Sequence, residues 1–316
     1  MKIGLLGYGN IAKKHEAALT NADFGEIAAI YDLELVEHNK LPSYTDLEKF
    51  LSSDLDLISI CSPNGFHKTH SIKALERGHH VICEKPFALS SVDCKEMIAA
   101  ADRHGKEIFC TMQNRFSPVS QWLKKLVNEE ALGEIYLINI ACYWNRNKAY
   151  YQQSDWRGKK AADGGTLFTQ FSHYVDTIYW LFGSMNILNA HFKNFDHGEM
   201  IEFEDTGIFN FTLNQGGMGT FSYTTSCYEK NFESSMTIIG SKGTIKVAGQ
   251  YMDRVVYSNL EAGTTAELDD NNNLSNIRKV YETSIGRIKG MNTNACSAQD
   301  GQAVVELIEN VYSFRR

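Results

Sequence analysis

Along the first third of the chain, short apolar runs alternate with longer segments in which apolar positions recur every three or four residues. The runs predict strands over residues 2–7, 26–31, 55–61, 80–84 and 107–112, and the intervening periodicity predicts helices over 10–20, 46–52, 66–77 and 91–104. Strands apolar on both sides, separated by amphipathic helices, are the pattern of a parallel sheet covered on both faces. Ser90-Ser91-Val92-Asp93 reads as a capping box opening the last of these helices, and Gly105 as its stop.

The pattern changes at Ser117-Pro118, an N-cap serine followed by proline at the first helical position. Beyond the helix that ends near Val127, longer alternating segments predict strands over 134–144, 187–195, 206–213, 218–225, 232–239 and 244–247. Asn214-Gln215-Gly216-Gly217 and Gly240-Ser241-Lys242-Gly243 read as hairpin turns, so this second sheet is expected to be mainly antiparallel and open. Helices are predicted over 166–182 and 300–314, and an exposed loop over 259–276. The expected architecture is an α/β Rossmann domain over 1–117 and an α+β domain for substrate binding and oligomerisation over 118–316.

A chain of 316 residues exceeds what one core usually serves, in keeping with two domains. Its 31 basic and 38 acidic residues give a net charge of -7, which disfavours nucleic acid or an anionic membrane as a partner. Seven scattered cysteines without Cys-x-x-Cys spacing suggest neither a disulfide framework nor a metal site. The chain enters a strand at once, with no leader pattern and no apolar stretch long enough to span a bilayer, so a cytoplasmic protein is expected.

Gly7-x-Gly9-x-x-Ala12 follows the first strand and opens a helix, a turn whose backbone can approach a pyrophosphate at the helix amino end; Asn10 and Ile11 belong to it. Asp32 closes the second strand and is placed to accept from ribose hydroxyls, which favours NAD over NADP. Ser62-Pro63-Asn64 and Glu84-Lys85-Pro86 end the next two strong strands, at the sheet edge where open α/β folds bind ligands. In the second domain, Asp163-Gly164-Gly165 precedes a helix with Thr169, His173 and Asp176 at i, i+4 and i+7, a face directed either to the core or to a cleft. Tyr143-Trp144-Asn145-Arg146, Asp155-Trp156-Arg157-Gly158-Lys159-Lys160 and Asn114-Arg115-Phe116 supply cations and aromatics able to line an anion-binding wall.

Taken with His67, these motifs resemble the glucose-fructose oxidoreductase, inositol dehydrogenase and rhizopine catabolism family over essentially the whole chain. The resemblance implies an NAD-dependent oxidoreductase acting on a secondary alcohol. Lys85 and His173 would carry the chemistry, with Lys85 contacting both nicotinamide ribose and substrate. Gly7, Gly9, Asn10, Ile11, Asp32, Ser62, Pro63, Asn64, His67, Glu84, Asn114, Trp156 and Arg157 would hold the cofactor, and Arg115 and Thr169 would join the substrate site. Many sugar dehydrogenases of the family carry a carboxylate where Thr169 stands. The segment is instead similar to enzymes of surface polysaccharide assembly that act on nucleotide-linked sugars such as UDP-N-acetylglucosaminuronate. Two other readings stay open: a dehydrogenase of a free sugar, inositol or glycoside, and a non-catalytic dinucleotide-binding sensor or co-repressor. A homodimer or homotetramer is expected from the resemblance, and which of Lys85 and His173 is the base is left open.

Overall fold

The computed structural model describes residues 1–261, 263 and 272–315. The chain forms two compact units, Met1–Gln113 with Asn273–Glu306, and Asn114–Asn272 with Leu307–Arg316.

In the first unit the order is β1 (Lys2–Leu6), α1 (Asn10–Leu19), β2 (Glu26–Tyr31), β3 (Ser43–Tyr44), α2 (Leu47–Leu51), β4 (Leu57–Ile60), α3 (His67–Glu76), β5 (His80–Cys83), α4 (Ser91–His104) and β6 (Ile108–Cys110). The strands pair in parallel in the order β3-β2-β1-β4-β5-β6. Every residue of β4 is fully buried, as expected of a strand with helices on both faces. The parallel arrangement brings the turns after β1, β4 and β5 to one edge of the sheet, where the candidate residues lie. Ser90 caps α4 through Asp93 N at 3.1 Å and Gly105 ends it at a φ of +60°. The box itself is only half formed, because the Asp93 carboxylate pairs with Lys68 at 2.6 Å instead of turning back to the cap.

The second unit comprises α5 (Pro118–Asn128), β7 (Ile135–Tyr143), α6 (Lys148–Gln152), α7 (Lys160–Asp163), a π-helical turn over Leu167–Phe171, α8 (Ser172–Phe182), β8 (Met185–Lys193), β9 (Thr206–Leu213), β10 (Met218–Thr224), β11 (Glu233–Gly240), β12 (Gly243–Ala248) and β13 (Arg254–Leu260). Ser117 caps α5 through Ser120 N at 3.1 Å, with Pro118 in the first turn. The sheet runs β13-β12-β11-β7-β10-β9-β8 and is antiparallel except where β10 pairs with β7. One face is covered through Phe171 and Tyr174, whose rings meet Trp144 and Tyr223 at centroid distances of 5.0 to 6.0 Å. On the other face Leu137 sits opposite Met218, and Ile208 opposite Ser222, and these apolar side chains are exposed.

Two further helices, α9 (Asn273–Ile288) and α10 (Ala298–Tyr312), complete the chain. The predicted loop over 259–276 is corrected at its ends: Leu260 closes β13 and Asn273 opens α9. Asp269, Asp270 and Asn271 lie outside the described residues. Whereas a single division after residue 117 puts α9 in the second domain, its buried face of Ile277, Val280, Tyr281 and Ile285 belongs to the first unit, where Tyr281 bonds Ser59 of β4 and His15 of α1.

Candidate active site

Gly7 adopts a φ of +89°, and a Cβ there would stand 2.9 Å from the Cys61 carbonyl carbon and the Ser62 amide nitrogen. Only glycine permits the turn to lie so close to the end of β4. Ala12 is fully buried against Leu5 and Cys61, which seats α1 on the sheet. Gly9 caps α1 without a side chain, nothing among the described residues lies within 4 Å of where its Cβ would be, and the first turn carries no acid. These residues fit a dinucleotide: Gly9, Asn10 and Ile11 open a helix whose amino-end amides no side chain of the cap occupies. Asp32 accepts from Tyr8 N at 2.6 Å and from Leu33 N at 2.7 Å, so its carboxylate also shapes the glycine turn.

At the ends of β4 and β5 the His67 ring is buried and lies 2.9 Å from the Ser62 carbonyl and 2.7 Å from that of Pro86. It joins the Ser62-Pro63-Asn64 turn to the Glu84-Lys85-Pro86 turn. Burial lowers its pKa, against the pull of the two carbonyls. The Lys85-Pro86 peptide is cis. Glu84 is 5% exposed and sits 2.9 Å from Nε2 of the fully buried His15, whose Nδ1 lies 2.6 Å from the Tyr281 hydroxyl. Lys85 N donates to the other Glu84 oxygen at 3.1 Å. Glu84 thus fixes the turn from which the half-buried Lys85 emerges. Sequence reasoning missed His15 and Tyr281; a histidine one turn beyond Ala12 on the buried side of α1 was the available signal. It also missed Thr111 and Gln113, whose buried Oγ1 and Oε1 atoms just beyond β6 have no hydrogen-bond partner among the described residues.

In the second unit the helix predicted over 166–182 opens with a π-helical turn over Leu167–Phe171 that runs into α8, which carries His173. Thr169 donates to the Asp163 carbonyl at 2.9 Å and to the Asp163 carboxylate, whose other oxygen accepts from Gly158 N at 2.8 Å. The sequence lacks a carboxylate at 169, yet the fold links that hydroxyl to a buried one. His173 is 8% exposed. Asp176 is fully buried and grips Arg115 through Nε and one terminal nitrogen at 2.6 to 3.1 Å. Arg115 is therefore engaged by a carboxylate of its own unit. Gly165 serves packing: a Cβ on it would stand 2.6 Å from the Tyr312 hydroxyl, which accepts from Leu167 N at 3.0 Å. Asn114 is buried, with its Oδ1 unpartnered among the described residues, and Trp156 is half-buried beside Arg157.

A family model described as an oxidoreductase family with an NAD-binding Rossmann fold matches residues 1–112, and a GFO/IDH/MocA C-terminal domain matches residues 120–246. The chain belongs to the GFO/IDH/MocA oxidoreductase family. This member of the family is similar to the WlbA dehydrogenase of Bordetella pertussis, solved with NADH and UDP-GlcNAcA, at 29% identity and a TM-score of 0.91 over 99% of this chain and 95% of that one. It is similar to the WlbA dehydrogenase of Chromobacterium violaceum, also solved with NADH and UDP-GlcNAcA, at 32% identity and a TM-score of 0.90 over 99% and 93%. Among relatives by sequence, a D-glucoside 3-dehydrogenase of Escherichia coli is 30% identical over 60% of this chain and 57% of its own length. A glucose-6-phosphate 3-dehydrogenase of Bacillus subtilis is 29% identical over 58% and 54%. The alignments to these two span little more than half of either relative. Among the described residues, no helix is long and apolar enough to cross a membrane.

Proposed function

We propose that the chain is an NAD-dependent dehydrogenase that oxidises a secondary alcohol of a nucleotide-linked sugar, in the class of UDP-N-acetylglucosaminuronate, for polysaccharide biosynthesis. The observation that carries this is the likeness over nearly the full length of both chains to the two WlbA structures that hold NADH and UDP-GlcNAcA. When bound, NAD supplies the hydride acceptor. The amides of Gly9, Asn10 and Ile11 would hold its pyrophosphate, Asp32 its adenine ribose, and Ser62, Pro63, Asn64, His67 and Glu84 would shape the edge of the sheet beside it; Asn114 and Trp156 would add further contacts. As the carbinol is oxidised to a carbonyl, the His173 imidazole would take the hydroxyl proton. The Lys85 ammonium, held by the Glu84 turn, stabilises the oxygen as negative charge develops.

The test follows NADH formation with UDP-N-acetylglucosaminuronate, UDP-N-acetylglucosamine, glucose 6-phosphate and a methyl glucoside. The reading expects turnover with the first, and Lys85→Ala is expected to keep NAD affinity within a few-fold while losing about 100-fold or more of turnover. Turnover of the glucoside or sugar phosphate alone would replace it with the free-sugar reading, which the two relatives by sequence favour. NAD binding without any turnover points to a sensor. Self-association through the exposed β-face of Leu137, Ile208 and Met218, as a dimer or tetramer, belongs to the same proposal.

A further inference from the structure

Arg146 and Arg157 both lie over the ring of Tyr150, with their guanidinium carbons 5.1 and 4.2 Å from its centroid, and Arg146 also lies 4.6 Å from the Trp144 ring. Neither pairs with a carboxylate among the described residues. Their hydrogen-bond partners among the described residues are neutral: Nε of Arg146 donates to Gln170 Oε1 at 2.8 Å, one terminal nitrogen donates to the Asn145 carbonyl at 2.7 Å and to Asn231 Oδ1 at 3.3 Å, and Arg157 donates to the Tyr150 carbonyl at 2.9 Å and Gln153 Oε1 at 2.7 Å. The Arg157 Nε is buried without a hydrogen-bond partner among the described residues. Two like charges, half-buried on one ring, disfavour the free protein unless an anion joins them.

The cations are also held in advance. Arg146 N donates to the Thr225 carbonyl at 2.8 Å, and the Arg146 carbonyl lies 2.6 Å from Nε2 of the buried His197, whose other nitrogen faces Asp205 at 3.1 Å. Gln170, which accepts from Arg146, donates to the Tyr150 hydroxyl at 2.7 Å and so locks the ring between the two. Arg115, the cation the sequence placed in the substrate site, is neutralised by Asp176. We infer that Arg146 and Arg157, with Tyr150, form the site that recognises the anionic group of the substrate, a carboxylate or phosphate oxygen set suited to a planar guanidinium. This rests on the proposed sugar substrate and names what decides its charge.

Isothermal titration of the NAD-loaded protein and its Arg146→Met and Arg146→Lys variants, with the ligands named above, tests it. Loss of an Arg hydrogen bond to an anion is expected to raise Kd about 10- to 100-fold for Arg146→Met, with partial recovery in Arg146→Lys. A loss confined to UDP-N-acetylglucosaminuronate assigns the site to the carboxylate, and an equal loss for UDP-N-acetylglucosamine assigns it to the diphosphate; both support the inference. If the parent binds no nucleotide sugar, the substrate proposal fails, and glucose 6-phosphate against methyl glucoside still tests the site. Unchanged affinity for every anionic ligand in a variant with an unchanged unfolding midpoint overturns the inference. So does a loss confined to NAD, which assigns the cations to the cofactor.

Discussion

Replacing Asp176 with alanine takes from Arg115 the carboxylate that holds it at three contacts of 2.6 to 3.1 Å. The Arg115 side chain is 7% exposed and that of Asp176 is 0%, so water cannot take over. Breaking a buried pair by removing one partner costs about 3–5 kcal/mol. With a urea slope of about 1–3 kcal/mol/M, that lowers the urea midpoint of the unit by about 1 M or more. All four tryptophans, at 122, 144, 156 and 180, lie in the second unit, and Trp180 stands 5.8 Å from the Arg115 guanidinium carbon. Intrinsic fluorescence during urea unfolding therefore reports this unit, and the lower midpoint should come with an unchanged slope. The companion variant, Arg115→Met with Asp176→Leu, removes both charges and is expected to recover most of the loss, because the cost is that of a buried cation deprived of its carboxylate. An Asp176→Ala protein within about 0.5 kcal/mol of the parent would refute the reasoning, as would a double variant less stable than the single one.

Gly7→Ala must adopt φ +89° and places a methyl 2.9 Å from the Cys61 and Ser62 backbone, so NAD affinity should fall at least tenfold at matched folding, measured by titration. Asp32→Ala is expected to narrow the preference for NAD over NADP and to weaken both, since the carboxylate also holds Tyr8 N; retained preference in comparative kinetics counts against its ribose role. Burial would lower the His197 pKa, but Asp205 and the Arg146 carbonyl raise it above 6.5; burial would likewise raise that of Asp205, but hydrogen bonds from His197, the Asp196 and Phe195 amides and the Thr206 hydroxyl hold it below 3.8. A raised histidine stabilises below its unfolded pKa and loses that effect as pH rises through the folded value; a depressed aspartate stabilises above 3.8 and loses it as pH falls. The pair should contribute most between those two unfolded values, and His197→Asn should flatten the alkaline decline in urea midpoint against pH. Met218→Lys with Ile208→Lys is expected to lower the mass measured by light scattering after size exclusion; an unchanged mass removes the exposed face from the assembly proposal.

Five strands of the Rossmann sheet were legible because each is a short apolar run between turn signals, and β4 and β5 owe nothing to distant partners for their pattern; the edge strand β3, only Ser43–Tyr44, is too short and polar to show one. What escaped the sequence depends on contacts far apart in the chain. His15 reads as one polar residue on α1 until Glu84, Ser59 and Tyr281 close around it, and Tyr281 comes from a helix assigned to the other domain by order alone. The π-helical turn at 167–171 leaves no mark in a pattern read at 3.6 residues per turn. Arg115 and Arg146 carry the same side chain and equal claims from composition. Asp176 midway along α8 takes the first, while Trp144, Tyr150 and Gln170 present the second with no carboxylate among the described residues, so a cation's availability to a ligand is decided by which elements bring a counter-charge and not by its motif.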